Sequence, residues 1–178
     1  TLTRSSAASD VYKRQLGGVV EGVAGLVGRT PLVRIPSLSA VTGCEILAKA
    51  EFLNPGGSVK DRVALQILRE AAAGGRVRPG DWVCEGTAGS TGISLALVSR
   101  SAGLRSLVVM PDDAAEEKAE AVRAHGGEAV RVRPVSIAHP EHFVNRARRA
   151  AEERGGVFAD QFENLANYRA HLLSLIHI

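Results

Sequence analysis

Lys60 follows a Pro-Gly-Gly turn in the stretch NPGGSVKDR, Asn54 to Arg62, just inside the start of a helical pattern. The first turn of a helix carries partial positive charge, and a cation there loses roughly 0.3–1 kcal/mol. Pro55, Gly56 and Gly57 make a tight turn, and Ser58 is a suitable N-cap, so the amine falls in the first turn. A helix N-terminus and partial burial both favour the neutral amine. A neutral lysine amine is the nucleophile that forms a Schiff base with an aldehyde. On local sequence alone the ordinary alternative stands beside this one: a solvated lysine after a loop, since exposed lysines are the rule. The spacing does not fit the G-x-x-x-x-G-K-[ST] phosphate loop.

A second stretch, EGTAGSTG (Glu85–Gly92), packs small residues and the hydroxyls of Thr87, Ser90 and Thr91 at another helix start. Its glycines are spaced G-x-x-G-x-x-G, which is not the G-x-G-x-x-G dinucleotide fingerprint. Outward-pointing backbone N–H groups at such a start form an anion site, which suits a carboxylate as well as a phosphate. A flexible turn with a Ser/Thr cap is the plainer reading of the same residues.

These loops need elements to hold them. EILAKAEF (residues 45–52) reads as a strand, and SVKDRVALQILREAAAGG (58–75) as a helix with Val59, Val63, Ile67 and Leu68 on one face, stopped by Gly74 and Gly75. The alternation continues with a strand over 81–86, a helix over 90–103 and a strand over 106–111. A helix over 114–127, a strand over 128–134, a helix over 140–156 and a strand over 157–162 complete it. This pattern predicts an α/β fold, a parallel sheet with helices on both faces. Ligands in such sheets sit at the carboxyl ends of the strands, so loops on adjacent parallel strands would share one crevice.

The chain has 178 residues, 45% of them hydrophobic and only 4% aromatic, so the core must be built from Ala, Val, Leu and Ile. No apolar run approaches the ~20 residues of a membrane span. Cys44 and Cys84 are far apart and form no CxxC pair, which suggests neither a disulfide framework nor a zinc site and points to a reduced, cytoplasmic protein.

The ends read differently from the rest. DVYKRQ (residues 10–15), written GAT GTG TAT AAG AGA CAG, has the reverse complement CTG TCT CTT ATA CAC ATC, which encodes the closing LSLIHI (173–178). Inverted copies at both ends resemble sequencing-library adapters, so residues 1–15 and 173–178 are expected to be adapter-derived and residues 16–172 native. The front stretch holds Arg4, Lys13 and Arg14 against Asp10, which accounts for +2 of the net charge of +3. With so little left, and no interleaved aromatics, nucleic-acid binding has no support.

Five segments together carry a resemblance: GRTPLVRIPSL, ILAKAEFLNPGGSVKDRVAL, EGTAGSTGISLA, VVMPDDAAEEKAEAVRAHGGEAV and DQFENLAN. In this order they resemble the cysteine synthase and cystathionine β-synthase family, pyridoxal-phosphate enzymes of fold type II. AGSTG and DQFENLAN are similar to a divergent cysteine synthase subgroup. The resemblance implies pyridoxal 5'-phosphate as cofactor, with Lys60 its Schiff-base lysine and also the general base. It implies that Thr87, Gly89, Ser90 and Thr91 hold a substrate carboxylate together with Gln161. Ser90 stands where the family has an asparagine that contacts the cofactor, and Ala88 where it has a serine. Each change could remove one hydrogen bond, about 0.5–1.5 kcal/mol net. The family's glycine-threonine-rich loop for the cofactor phosphate belongs after QFENLAN, so this chain is expected to be an N-terminal fragment. The implied reaction is β-replacement, forming cysteine from an O-activated serine and sulfide, in a homodimer when full length. Serine or threonine dehydration, cystathionine formation and cysteine desulfhydration are neighbouring reactions. A non-catalytic α/β module binding a small anion through Glu85–Gly92 is the distant alternative.

Other residues carry less. His139 and His142 are three apart, and two ligands do not make a metal site, so they read as surface or capping residues and no metal is expected. RARRAAEERGG (146–156) contains Glu152 and Glu153 and reads as a solvated helix face. Cys84, in an apolar strand, reads as packing.

Overall fold

The computed structural model describes residues 19–176, and the front stretch expected to be adapter-derived lies outside them. Strands β1 (Leu32–Arg34) and β2 (Leu47–Lys49) pair antiparallel as a separate ribbon, joined by helix α1 (Pro36–Thr42). A 3-10 turn (Glu51–Leu53) leads to α2 (Lys60–Ala73). Then follow β3 (Trp82–Gly86), α3 (Ser90–Ser101), β4 (Arg105–Pro111), α4 (Glu116–Ala124), β5 (Glu128–Val132), α5 (Phe143–Glu153), β6 (Val157–Phe158) and α6 (Ala166–His171). A π-helical stretch, Leu172–Ile176, continues α6.

The sheet is parallel, in the order β5-β4-β3-β6, with helices on both faces, as the alternating pattern predicts. Val83, Val108 and Met110 face one side, where they meet α2, α3, α4 and α6. Cys84, Leu107 and Val109 face the other and meet Ala147 and Ala151 of α5. Strand alternation thus sorts one apolar run into two cores. Ile67 and Leu95 are almost fully buried between α2, α3 and the sheet, and burying each contributes about 1.5–3 kcal/mol. Because α3 lies between α2, α4 and the sheet, it buries even Ser94 and Ser99.

Two sequence expectations are corrected. The strand expected over 45–52 spans only Leu47–Lys49 and pairs with β1, outside the parallel sheet. It ends early because Glu51 turns inward to accept hydrogen bonds from Arg62 and Thr30. The strand expected over 157–162 stops at Phe158: Ala159 N–H still bonds to the Cys84 carbonyl, but Asp160 adopts the left-handed conformation (φ 54°) and turns the chain away. Asp tolerates that region better than most residues.

The topology fixes where a ligand would sit. From β3 the chain moves outward to β4 and β5, then returns through α5 to place β6 on the other flank of β3. The carboxyl end of β3 is therefore the point where strand order reverses, the usual crevice of open α/β sheets. Gly86 ends β3 because α5 passes so closely that a Cβ there would lie 2.5 Å from Val144 Cα. Gly92 does the same for α3, with a Cβ 2.7 Å from Val108 Cγ1. Gly86→Ala meets backbone rather than a movable side chain and should destabilise by about 1–3 kcal/mol. Its urea midpoint is expected to fall, and an unchanged midpoint would refute the close packing of α5 on β3.

Candidate active site

The first loop is held by buried polar groups. Arg62 donates to Glu51 through Nε (2.8 Å) and Nη2 (2.8 Å), and Nη2 also reaches the Thr30 hydroxyl at 3.1 Å. Asn54 accepts from Gly28 N–H (2.8 Å) and donates from Nδ2 to Glu51 Oε2 (2.8 Å) and the Glu51 carbonyl (2.9 Å). Arg62 and Glu51 form an ion pair with side chains 3% and 16% exposed, the class of pair whose breakage leaves an uncompensated charge. The Arg62 guanidinium, by its hydrogen bonds, holds the Glu51 carboxyl well below the ordinary value, at about 2.

Gly57 (φ 79°) makes the turn, and the Ser58 hydroxyl accepts from Lys60 N–H at 3.2 Å. Ser58 thus caps the first helical N–H, as its residue type predicts, although Val59 is the residue at the helix boundary. Lys60 opens α2 with its side chain half-buried. Asp61 beside it is fully buried. Its carboxylate accepts from Gly56 N–H at 2.5 Å and from the Ser94 hydroxyl of α3. A Cβ on Gly56 would collide with that carboxylate. Asp61 therefore ties the glycine turn in front of Lys60 to the first turns of α3.

The second loop begins where β3 ends. Thr87 is buried, its N–H extends the sheet to the Val109 carbonyl (2.9 Å), and its hydroxyl accepts from Gly89 N–H at 3.2 Å. Among the described residues no side chain caps α3: Gly89 stands at its N-cap, and a Cβ there would point into open space. The first N–H groups of α3 are thus not taken by a protein side chain. Ser90 is half-buried and Thr91 buried. The Thr91 hydroxyl donates to Gln161 Oε1 at 2.6 Å, so the structure joins two residues 70 positions apart that sequence reasoning assigns to one cradle. Asn167 Nδ2 bonds to the Gln161 carbonyl (2.9 Å) and Asn164 Nδ2 to the Ala159 carbonyl (2.9 Å), fixing the loop that carries Gln161.

Behind the cradle lies Glu85, fully buried on β3. It accepts from Gln161 N–H at 3.2 Å and Nε2 at 3.4 Å. Burial pushes its carboxyl up to about 7, against the downward pull of the Gln161 N–H and with a further push from the Asp160 charge.

A family profile described as "Pyridoxal-phosphate dependent enzyme" matches residues 23–173. The chain belongs to that family. Among curated members, a cysteine synthase 2 of Schizosaccharomyces pombe is 51% identical over 166 residues, covering 88% of this chain and 42% of its own length. A cysteine synthase 1 of Neurospora crassa is 48% identical over 156 residues, covering 87% and 42%. The crystal structure of an O-ureido-L-serine synthase superposes with a TM-score of 0.81 at 35% identity, covering 88% of this chain and 49% of that one. The chain thus spans about two fifths of the length of these curated relatives.

As a member of the pyridoxal-phosphate dependent enzymes, the chain has residues that fit the cofactor named in the family description. Lys60 offers a primary amine, Thr87, Ser90 and Thr91 offer hydroxyls beside an uncapped helix start, and a Cβ at Gly57 or Gly89 would meet open space. The residues that sequence reasoning missed are the supports: Glu51, Asp61, Arg62 and Glu85. Asp61 had a legible signal, since it shares a helix face with Leu65 and Leu68. Glu85 had none beyond sitting in an apolar strand.

His142 Nδ1 accepts from Val144 N–H (3.3 Å) and His139 Nδ1 from Glu141 N–H (3.1 Å), so both serve as local caps. Cys84 is fully buried, and burial pushes its thiol up to about 11, as expected for a packing residue.

Asp61→Ala leaves the Ser94 hydroxyl and Gly56 N–H without their acceptor and should cost roughly 1–3 kcal/mol, read from denaturant midpoints. Wild-type stability from that measurement would contradict the clamp. Glu51 supplies a pH signature. Its folded value is depressed, so its bonds contribute fully above its ordinary 4.5 and are lost as pH falls through about 2. Stability measured across that window should drop less steeply in Glu51→Gln than in the wild type.

Proposed function

We propose that the complete protein catalyses pyridoxal-phosphate-dependent β-replacement, forming cysteine from an O-activated serine and sulfide. The observation that carries this reading is the juxtaposition made by Asp61: the helix start bearing Lys60 lies against the first turns of α3, whose uncapped end adjoins Thr91 and Gln161. Relatives named cysteine synthase, 48–51% identical, support the same reaction.

Each residue then has a task. Lys60 Nζ would hold the cofactor covalently, and Ser90 would contribute to holding it. The α-carboxylate of the amino acid lies on the N–H groups at the start of α3 and on the hydroxyls of Thr87, Ser90 and Thr91, with Gly89 giving backbone access and Gln161 closing the far side. This orients the Cα–H bond toward the freed Lys60 amine, and Lys60 Nζ removes that proton. The bound cofactor supplies the electron sink that makes this proton removable. In the net reaction the C–O bond at the β-carbon breaks, the activated oxygen leaving with its bonding pair, and sulfide supplies the pair that forms the C–S bond there. Full-length protein is proposed to be a homodimer in the cytoplasm. Among the described residues no helix is long and apolar enough to cross a membrane. Residues 16–172 are read as the N-terminal part of the enzyme, and residues 1–15 and 173–178 as adapter-derived. The inverted relation between DVYKRQ and LSLIHI supports that division.

Lys60→Ala in the complete protein is expected to abolish turnover and borohydride-fixed attachment of the cofactor, by at least about a thousandfold in rate, as for loss of a residue that is both nucleophile and base. Retention of both would sink the assignment. Product analysis of the wild type with and without sulfide separates cysteine formation from simple elimination.

A further inference from the structure

Glu85 is a carboxyl group sealed from water at the carboxyl end of β3, and among the described residues it has no ion pair. A buried charge without a cation is costly unless its lone pairs meet donors or its proton stays on. The Gly86 backbone N–H and both the backbone N–H and the side-chain amide of Gln161 donate to it, and that amide in turn meets Thr91. We propose that Glu85 is the positioning residue of the carboxylate cradle: it fixes which end of the Gln161 amide faces Thr91, and so decides whether the Thr91 hydroxyl is spent inside the protein or turned to a bound carboxylate. This rests on the reading of Thr91 and Gln161 as substrate-binding.

An ionised carboxylate only accepts. Glu85 in that form therefore draws the Gln161 NH2 toward itself and leaves Oε1 facing Thr91. The Thr91 hydroxyl has one proton, and donates it to Oε1, as the 2.6 Å contact shows. In this state Thr91 has only lone pairs to offer and repels an incoming carboxylate. A protonated Glu85 has one O–H to donate. It can give this to Gln161 Oε1, and the amide then turns its NH2 to Thr91 Oγ, whose own proton is released for the ligand. Closing the cradle on a carboxylate thus takes up one proton at Glu85, with no bond made or broken elsewhere.

The surroundings make the two forms close in energy. Asp160, paired with Arg148 of α5 at 3.4 Å, is the charged group on the Gln161 loop that still disfavours a negative charge at Glu85. Val108 opposes it on β4, and Asp61 of α2 is engaged by Gly56 and Ser94. Burial together with Asp160 places the carboxyl at about 7, so neither form is rare near neutrality.

The test uses the complete, cofactor-loaded protein and propionate, a carboxylate with no amine of its own, titrated by calorimetry from about pH 6 to about pH 8. Wild-type affinity should fall as pH rises past about 7, approaching tenfold per pH unit, with uptake of up to one proton measured in buffers of different ionisation enthalpy. Glu85→Gln, which can donate to Gln161 at every pH, should bind propionate with no such slope and no proton uptake. Thr91→Val removes the hydroxyl through which the relay acts, and its weaker residual binding should also lose the slope. A slope that persists in Thr91→Val would mean that the Glu85 charge acts directly, and overturns the relay. A flat wild-type profile without proton uptake overturns the proposal even if both variants fail to fold, and leaves the assignment of the cradle standing. No propionate binding by the wild type at any pH, with the cofactor attached at Lys60, overturns both the cradle and this role for Glu85.

Discussion

The carboxylate of Asp61 holds the candidate site together. It has no water around it, and it bridges a backbone N–H of the glycine turn to a hydroxyl on a different helix. Without that bridge the turn before Lys60 and the start of α3 would be separate loops on separate supports, because β2 is not a strand of the parallel sheet. A buried acceptor is also directional, so it sets a geometry that apolar packing between α2 and α3 would leave loose. The absence of a side chain at Gly56 is the other half of the same contact: any Cβ would occupy the space of the carboxylate.

Around this contact the supports are layered by cost. The Glu51–Arg62 pair, with Thr30 and Asn54, fastens the chain before the first loop to α2. Asn164 and Asn167 fasten the third loop, and the left-handed Asp160 turns Gln161 back across the end of β3. These are satisfied polar groups rather than apolar ones. They fix orientation to within a hydrogen bond, which the proposed site, holding both an amine and a carboxylate, would require. The apolar clusters below supply the stability on which such polar geometry depends.

The reversal of strand order at β3 explains why chemistry gathers there. The loops after β3 and β6 leave the same end of adjacent parallel strands, and α2 brings the first loop, the glycine turn before Lys60, from outside the sheet. Glycines at positions 86 and 92 let α5 and α3 approach that end closely. At that end Glu85 and Gln161 are hydrogen-bonded to each other beside the uncapped start of α3.

The sequence by itself determined the alternation of elements, because apolar periodicity is written in the order of residues. It also determined the two loop types, since Pro-Gly-Gly and clustered Gly, Ser and Thr have few conformations open to them. The family resemblance, carried by quoted motifs, is what proposes Lys60, Thr91 and Gln161 as site residues. Tertiary structure decided what no local pattern encodes: that β2 pairs with β1 instead of joining the sheet, that β6 ends at Phe158, and that Asp61 and Glu85 are sealed from water. The physical reason is common to all of these. Pairing partners and burial are set by groups far away in the chain, such as Ser94 for Asp61 and Gln161 for Glu85, and a carboxylate reads the same in sequence whether it meets water or a single distant donor.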